Sequence, residues 1–204
     1  MRHNICHIFY INLDKRTDRK KLFENEMKDF GLEAERFSAI YYDHPRGTVG
    51  CGKSHLQVLE LARSRKYKNV LILEDDFYFT ESKEIVENAL DYLFSRKPNF
   101  DVCFLAFNLH SGSIDEQNPC LTRVKYSTTS SAYIVNEHYY DKLIELYKDA
   151  IPKLETTLWH WIYANDQVWK VLQETDEWYC FSKCLGKQRD GFSDNANATV
   201  QYNC

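Results

Sequence analysis

Val70-Leu71-Ile72-Leu73-Glu74-Asp75-Asp76 is an unbroken apolar run that ends in three consecutive carboxylates. Such a run reads as a strand covered on both faces, the kind found where helices flank a parallel sheet. Working outward, residues 5–11 form a second apolar, β-rich segment and residues 102–107 a third. Between them lie helical patterns. Thr17-Asp18 offers a cap for a helix through Phe30, with Gly31 as its stop. Leu56, Leu59, Leu61 and Ala62 recur at helical spacing over residues 54–65, and residues 82–95 form a helix that Pro98 ends. Residues 35–40 suggest a short strand. Strands alternating with helices at this spacing predict an α/β fold with an open, mostly parallel sheet flanked by helices. Ligands of such sheets sit at the carboxyl ends of the strands. Two polar clusters fall there, residues 12–19 and residues 74–76.

The remaining pattern is simpler. Residues 41–52 hold Pro45, Gly47, Gly50 and Gly52 and read as a loop, and residues 108–119 read as a polar loop. Residues 121–126 and 131–135 read as strands, 137–147 as a helix, and 160–174 as a helix capped near Asn165. The tail after Cys184 reads as irregular. A length of 204 residues fits one domain, 1–204. The formal charge of −4 gives no global attraction to nucleic acid. The longest clean apolar run, residues 102–107, is far short of the roughly 20 residues that span a bilayer. The N-terminal stretch lacks the pattern of an export signal, so a cytoplasmic location is expected. Seven cysteines at 6, 51, 103, 120, 180, 184 and 204 are odd in number and irregular in spacing, which favours reduced thiols over a disulfide framework. Cys51 and Cys103 fall in segments that read as buried.

Three carboxylates at one strand end repel one another, and burial raises their pKa values unless a cation is present. A hard divalent ion, Mn²⁺ or Mg²⁺, relieves this through oxygen ligands and shares them with phosphate. In an extended strand Glu74 and Asp76 point to one side and Asp75 to the other, so the first two could hold one metal. The alternative is a solvated acidic loop. A competing motif is Gly47-Thr48-Val49-Gly50-Cys51-Gly52-Lys53-Ser54, which matches the phosphate-loop pattern of P-loop NTPases. There Lys53 would reach terminal phosphates and Ser54 would hold Mg²⁺. Its context is poor, because the residues before it are polar and include Pro45 instead of forming a buried strand.

Five segments together resemble glycosyltransferase family 25, the group of lipooligosaccharide and collagen galactosyltransferases. They are Phe9-Tyr10-Ile11-Asn12-Leu13-Asp14-Lys15-Arg16-Thr17-Asp18-Arg19, Gly50-Cys51-Gly52-Lys53-Ser54-His55, Leu73-Glu74-Asp75-Asp76, Ser131-Ala132-Tyr133-Ile134-Val135, and residues 188–194. The resemblance implies a GT-A fold and inverting transfer of a hexose, often galactose, from a UDP-sugar to a hydroxyl acceptor on a glycan, glycolipid or protein. It implies that Glu74-Asp75-Asp76 is the DxD-like element, with Asp76 on Mn²⁺ and Glu74 supporting the metal or the ribose. Asn12, Arg16 or Arg19 would lie near the nucleotide, and Ser54 and His55 would line the crevice. Two departures stand out. Ala39-Ile40-Tyr41-Tyr42 replaces an Asp-Gly, and Lys53 faces either the diphosphate or solvent.

An inverting transfer needs a base for the acceptor proton. Asp166 follows the aromatic stretch Trp159-His160-Trp161, whose rings could stack on sugar, although Asp166 could equally open the helix that follows. His55 is the other candidate base, and a buried structural histidine is its alternative. A catalytically inactive nucleotide- or glycan-binding module of the same fold remains the rival from another class. Because the chain is short for this family, a partner subunit or homo-oligomer could complete acceptor recognition.

Overall fold

A computed structural model describes residues 4–202; residues 1–3, read above for an export signal, and Cys204 lie outside the described residues. In chain order the elements are β1 (His7–Asn12), α1 (Thr17–Asp29), β2 (Glu35–Ser38), α2 (Gly47–Ser64), β3 (Asn69–Glu74), β4 (Phe77–Phe79), α3 (Lys83–Arg96), β5 (Val102–Phe104), β6 (Asn108–Ile114), β7 (Leu121–Thr128) and β8 (Ala132–Asn136). A short 3-10 turn (Glu137–Tyr139) then leads into α4 (Tyr140–Thr157), α5 (His160–Tyr163), α6 (Asn165–Val168), α7 (Lys170–Gln173), β9 (Trp178–Phe181), β10 (Gly186–Gln188), β11 (Gly191–Ser193) and β12 (Ala198–Val200).

Eight strands form one sheet in the order β2-β1-β3-β8-β5-β9-β7-β6. Following the pairings, six strands run in one direction and only β7 and β8 oppose them. This is the mostly parallel α/β sheet expected. Side chains alternate between its faces. Ile8, Tyr10, Leu71 and Leu73 pack with Phe23 and Met27 of α1 and Val86, Leu90 and Leu93 of α3. Phe9, Ile11, Val70 and Ile72 pack on the other face with Val58 and Leu59 of α2 and Leu143 and Tyr147 of α4. Residues 70–73 have no exposure at all, which explains their unbroken apolar character.

Several expected boundaries shift for identifiable reasons. Residues 47–52 are not loop: α2 begins at Gly47 and runs through the glycines. They serve close packing. A Cβ on Gly50 would collide with the Ile40 carbonyl, and one on Gly47 would come within 3.0 Å of the Asn195 backbone. Residues 108–114 form the edge strand β6 instead of a loop, largely exposed on both faces, so no apolar alternation marks it. Its polar surface suits an edge that must not recruit another chain. The helix expected over 137–147 extends to Thr157 and carries Pro152 inside. The helix expected over 160–174 is three short ones, broken at Ala164, whose ψ of 153° is extended. The tail is not irregular: β10 pairs with β4, and β11 with β12. β9, not anticipated, lies between β5 and β7. Gly31 does end α1, with φ +64°. No side-chain cap opens that helix: its N-cap residue is Arg16, which has no acceptor to offer, and Asp18, already in the first turn, binds the Arg16 guanidinium. Cys6, Cys51, Cys103, Cys120 and Cys180 are not disulfide-bonded. Among the described residues no helix is long and apolar enough to cross a membrane.

Two of the three glycines of α2 should respond oppositely to alanine. Gly50→Ala drives a methyl into a backbone carbonyl and is expected to destabilise by about 1–3 kcal/mol. Gly52→Ala meets only the Ile151 side chain, at 3.5 and 3.8 Å, so the helix-propensity gain of about 0.5–1 kcal/mol should prevail. Urea denaturation of the two variants beside the parent measures both.

Candidate active site

The carboxyl ends of β1 and β3 open into a cleft of about 650 Å³. Its floor holds all three carboxylates, and its walls come from α2, the segment after β7, the α5–α6 junction and the C-terminal residues. β3 ends at Glu74, and Asp75-Asp76 form a turn before β4. Strand alternation therefore stops at Glu74. The expectation that Glu74 and Asp76 share a side while Asp75 faces away is corrected. Asp75 and Asp76 share one guanidinium: Arg19 donates to Asp75 Oδ1 at 3.0 Å and to Asp76 Oδ2 at 2.9 Å. Glu74 turns elsewhere, accepting from Ser130 Oγ at 2.8 Å and standing 3.2 Å from His55 Nε2.

The electrostatics follow from burial. Burial pushes the Asp76 carboxyl up to about 7; Glu74 and Asp75 add to the rise and Arg19 opposes it. Burial also raises Asp75, against the pull of Arg19 and Asn12. For Glu74 burial works upward too, but the His55 and Ser130 hydrogen bonds and the nearby Arg19 outweigh it and hold the carboxyl below its ordinary range. Three acidic groups thus crowd a partly dry pocket in which one guanidinium pairs with two of them. An all-oxygen set with surplus negative charge fits a hard divalent cation such as Mg²⁺ or Mn²⁺.

Asn12 is buried at the end of β1. It donates to Asp75 Oδ2 at 2.6 Å and accepts from Arg36 Nε at 2.8 Å, so it orients the acid from beneath. Arg16 and Arg19 do line the cleft. Both also donate to the Phe192 carbonyl, at 3.1 and 2.9 Å. Arg16 and Lys15 grip Asp194 at 2.7 and 2.8 Å, so the loop after β1 clamps the β11–β12 hairpin over the acidic turn. Burial raises the Asp194 carboxyl, but these two cations outweigh it and leave the group below its ordinary range.

Ser54 reaches the cleft wall, yet its hydroxyl donates to the Gly50 carbonyl at 2.7 Å and accepts from Ile40 N at 2.9 Å. Lys53 answers the open question of its direction by binding Tyr42 OH at 2.8 Å and Glu155 at 3.1 Å. Residues 47–54 are helical and follow no buried strand, so the phosphate-loop reading does not survive. His55 is fully buried, with Nδ1 2.8 Å from Tyr133 OH. Asp166 lines the cleft from the first turn of α6, where Oδ2 accepts from Thr129 N at 3.1 Å. Trp169 is core, whereas Trp159 and Trp161 are exposed with ring centroids 6.4 Å apart.

No protein-family profile matches the chain. In sequence it is 31% identical to a glycosyltransferase 25 family member of Drosophila pseudoobscura pseudoobscura, over 45% of this chain and 20% of that relative. It is 33% identical to a glycosyltransferase 25 family member of Drosophila melanogaster, over 35% of this chain and 16% of that one. The similarity in sequence is therefore to members of the glycosyltransferase 25 family. The chain spans at most about a fifth of the curated relatives it matches. Its fold is similar along nearly its whole length to the crystal structure of a glycosyltransferase involved in glycosylation of the major capsid of PBCV-1. The TM-score is 0.57 with 11% identity, covering 95% of this chain and 96% of that one. At that identity the likeness is one of fold, of the GT-A type.

Three contributors to the site are not evident in the sequence. Ser130 binds Glu74 and accepts from Asn165 Nδ2 at 2.8 Å. Arg36 braces Asn12, and Lys15 helps hold Asp194. The polar run Thr128-Thr129-Ser130-Ser131 ahead of β8 was the available signal for the first. Arg19→Gln leaves Asp75 and Asp76 buried without their cation, and a loss of about 3 kcal/mol is expected in urea denaturation. Adding Asp76→Asn to it should recover part of that loss, because one of the orphaned charges is gone.

Proposed function

We propose that this chain is the catalytic unit of a metal-dependent inverting glycosyltransferase. It would move a hexose, with galactose favoured, from a UDP-sugar to a hydroxyl on a glycan, glycolipid or protein. The observation that carries the reading is the buried Glu74-Asp75-Asp76 stretch, three carboxylates at the floor of the cleft of which two pair with the one guanidinium of Arg19. A divalent cation held by Asp76 with Glu74 would supply the positive charge that offsets the diphosphate leaving group. Arg16 and Arg19 stand at the same end of the cleft with the planar donor fork suited to phosphate oxygens.

In this reading Asp166 takes the proton from the acceptor hydroxyl. Its Oδ2 is oriented by Thr129 N, and it lines the same cleft as the acidic turn. His55 becomes a positioning residue, not the base, since it has no exposure and both ring nitrogens already face partners. Trp159 and Trp161 offer exposed faces next to His160, which lines the cleft, and suit stacking on an acceptor sugar.

Thermal-shift screening with UDP-galactose, UDP-glucose and UDP-N-acetylhexosamines, with and without Mn²⁺, should show metal-dependent stabilisation by at least one donor. Hydrolysis of that donor should need the metal and fall at least about 100-fold in Asp76→Ala. Unchanged turnover in that variant would refute the assigned metal ligand, and binding without any turnover would favour the inactive module. Asp166→Asn should lower kcat by roughly 10²–10⁴ while the donor-induced thermal shift persists. Trp161→Ala should raise the KM for the acceptor and leave donor hydrolysis near the parental rate.

A further inference from the structure

The face of α2 that looks toward the end of β3 carries a different ligand chemistry. Cys51 and His55 are four residues apart, so they share one side of the helix. The Cys51 sulfur, a His55 ring nitrogen and a Glu74 carboxylate oxygen all lie within 4.8 Å of one another. Among the described residues this is the one group of three His, Cys, Asp or Glu side chains that converges so closely.

We propose that Cys51, His55 and Glu74 form a zinc-binding site on the cleft floor. Thiolate, imidazole and carboxylate together suit Zn²⁺, whereas Mg²⁺ and Mn²⁺ take oxygen donors. His55 Nε2 and Glu74 Oε1 are 3.2 Å apart, close to the edge of a tetrahedron built on zinc bonds of about 2.0–2.2 Å. Tyr133 OH lies 2.8 Å from His55 Nδ1. With Nδ1–H donated to that oxygen, the Nε2 lone pair is left for the metal, the outer-shell support typical of zinc histidines. All three ligand residues line the cleft, so the fourth position opens to solvent, as in zinc sites that exchange a ligand. On binding, the Cys51 thiol releases its proton to solvent as the Zn–S bond forms, the proton His55 Nε2 holds toward Glu74 is lost to solvent while Nδ1 carries the remaining ring proton, the zinc sheds water, and no electrons are transferred. Occupancy withdraws Glu74 from the acidic turn, so zinc would inhibit donor turnover. That consequence rests on the transferase reading, whereas the binding itself does not.

The test is a titration of the untagged, chelator-stripped chain with zinc chloride against a chromophoric chelator. One equivalent should bind tightly. Cys51→Ser should weaken it by more than the roughly 10–100-fold expected for the outer-shell change Tyr133→Phe. Cys6→Ser, at an exposed thiol, should leave it unchanged. Cobalt chloride should produce a thiolate-to-metal charge-transfer band in the parent and none in Cys51→Ser, with circular dichroism confirming that the variant is folded. No stoichiometric zinc binding, or the same affinity and absorption in Cys51→Ser, overturns the site. A site that binds zinc in a chain showing no UDP-sugar turnover would sink the transferase reading alone.

Discussion

Burial of three consecutive carboxylates at the end of the central strand is the constraint around which this molecule is arranged. Like charges held close in a low dielectric cannot all remain ionised without compensation. Arg19 supplies one positive charge to two of them, and Asp76 still rises to about 7. The surroundings answer the rest with hydrogen bonds. Asn12 donates to Asp75, Ser130 donates to Glu74, and Arg36 holds Asn12 in place. These partners come from β1, β2 and the segment ahead of β8, so the acidic turn ties together elements far apart in sequence.

The same constraint reaches the C-terminal hairpin. Arg16 and Arg19 both donate to the Phe192 carbonyl, and Asp194 takes Lys15 and Arg16. The cations beside the acidic turn are therefore already engaged by the protein's own oxygens. An anionic ligand entering there would compete with Asp194 for Lys15 and Arg16, a competition that couples the hairpin to the state of the cleft.

Across the cleft the chemistry differs. Close packing of the α2 glycines against residue 40 and residue 195 brings Cys51 and His55 beside Glu74. The break at Ala164 sends Asp166 inward, while Trp159 and Trp161 stay at the surface. One wall thus gathers charge suited to a diphosphate, and the other offers a carboxylate beside aromatic faces.

Residue pattern alone determined the buried strands and most helices, because full burial on two faces leaves an uninterrupted apolar run such as residues 70–73. It also located the acidic turn, since a carboxylate triplet at a strand end is local information. Ser54 and His55 line the cleft, whereas Asn12 is not among its lining residues. Asn12 works beneath Asp75, and the Ser54 hydroxyl is taken up by backbone. The helix through Gly47, Gly50 and Gly52, the polar edge strand β6 and the strand β9 were illegible, because close approach and edge position leave no periodic trace. Which way each carboxylate points was decided only in three dimensions. A turn has no alternation rule, and the partners that orient Glu74, Asp75 and Asp76 arrive from residues as distant as 19, 55 and 130.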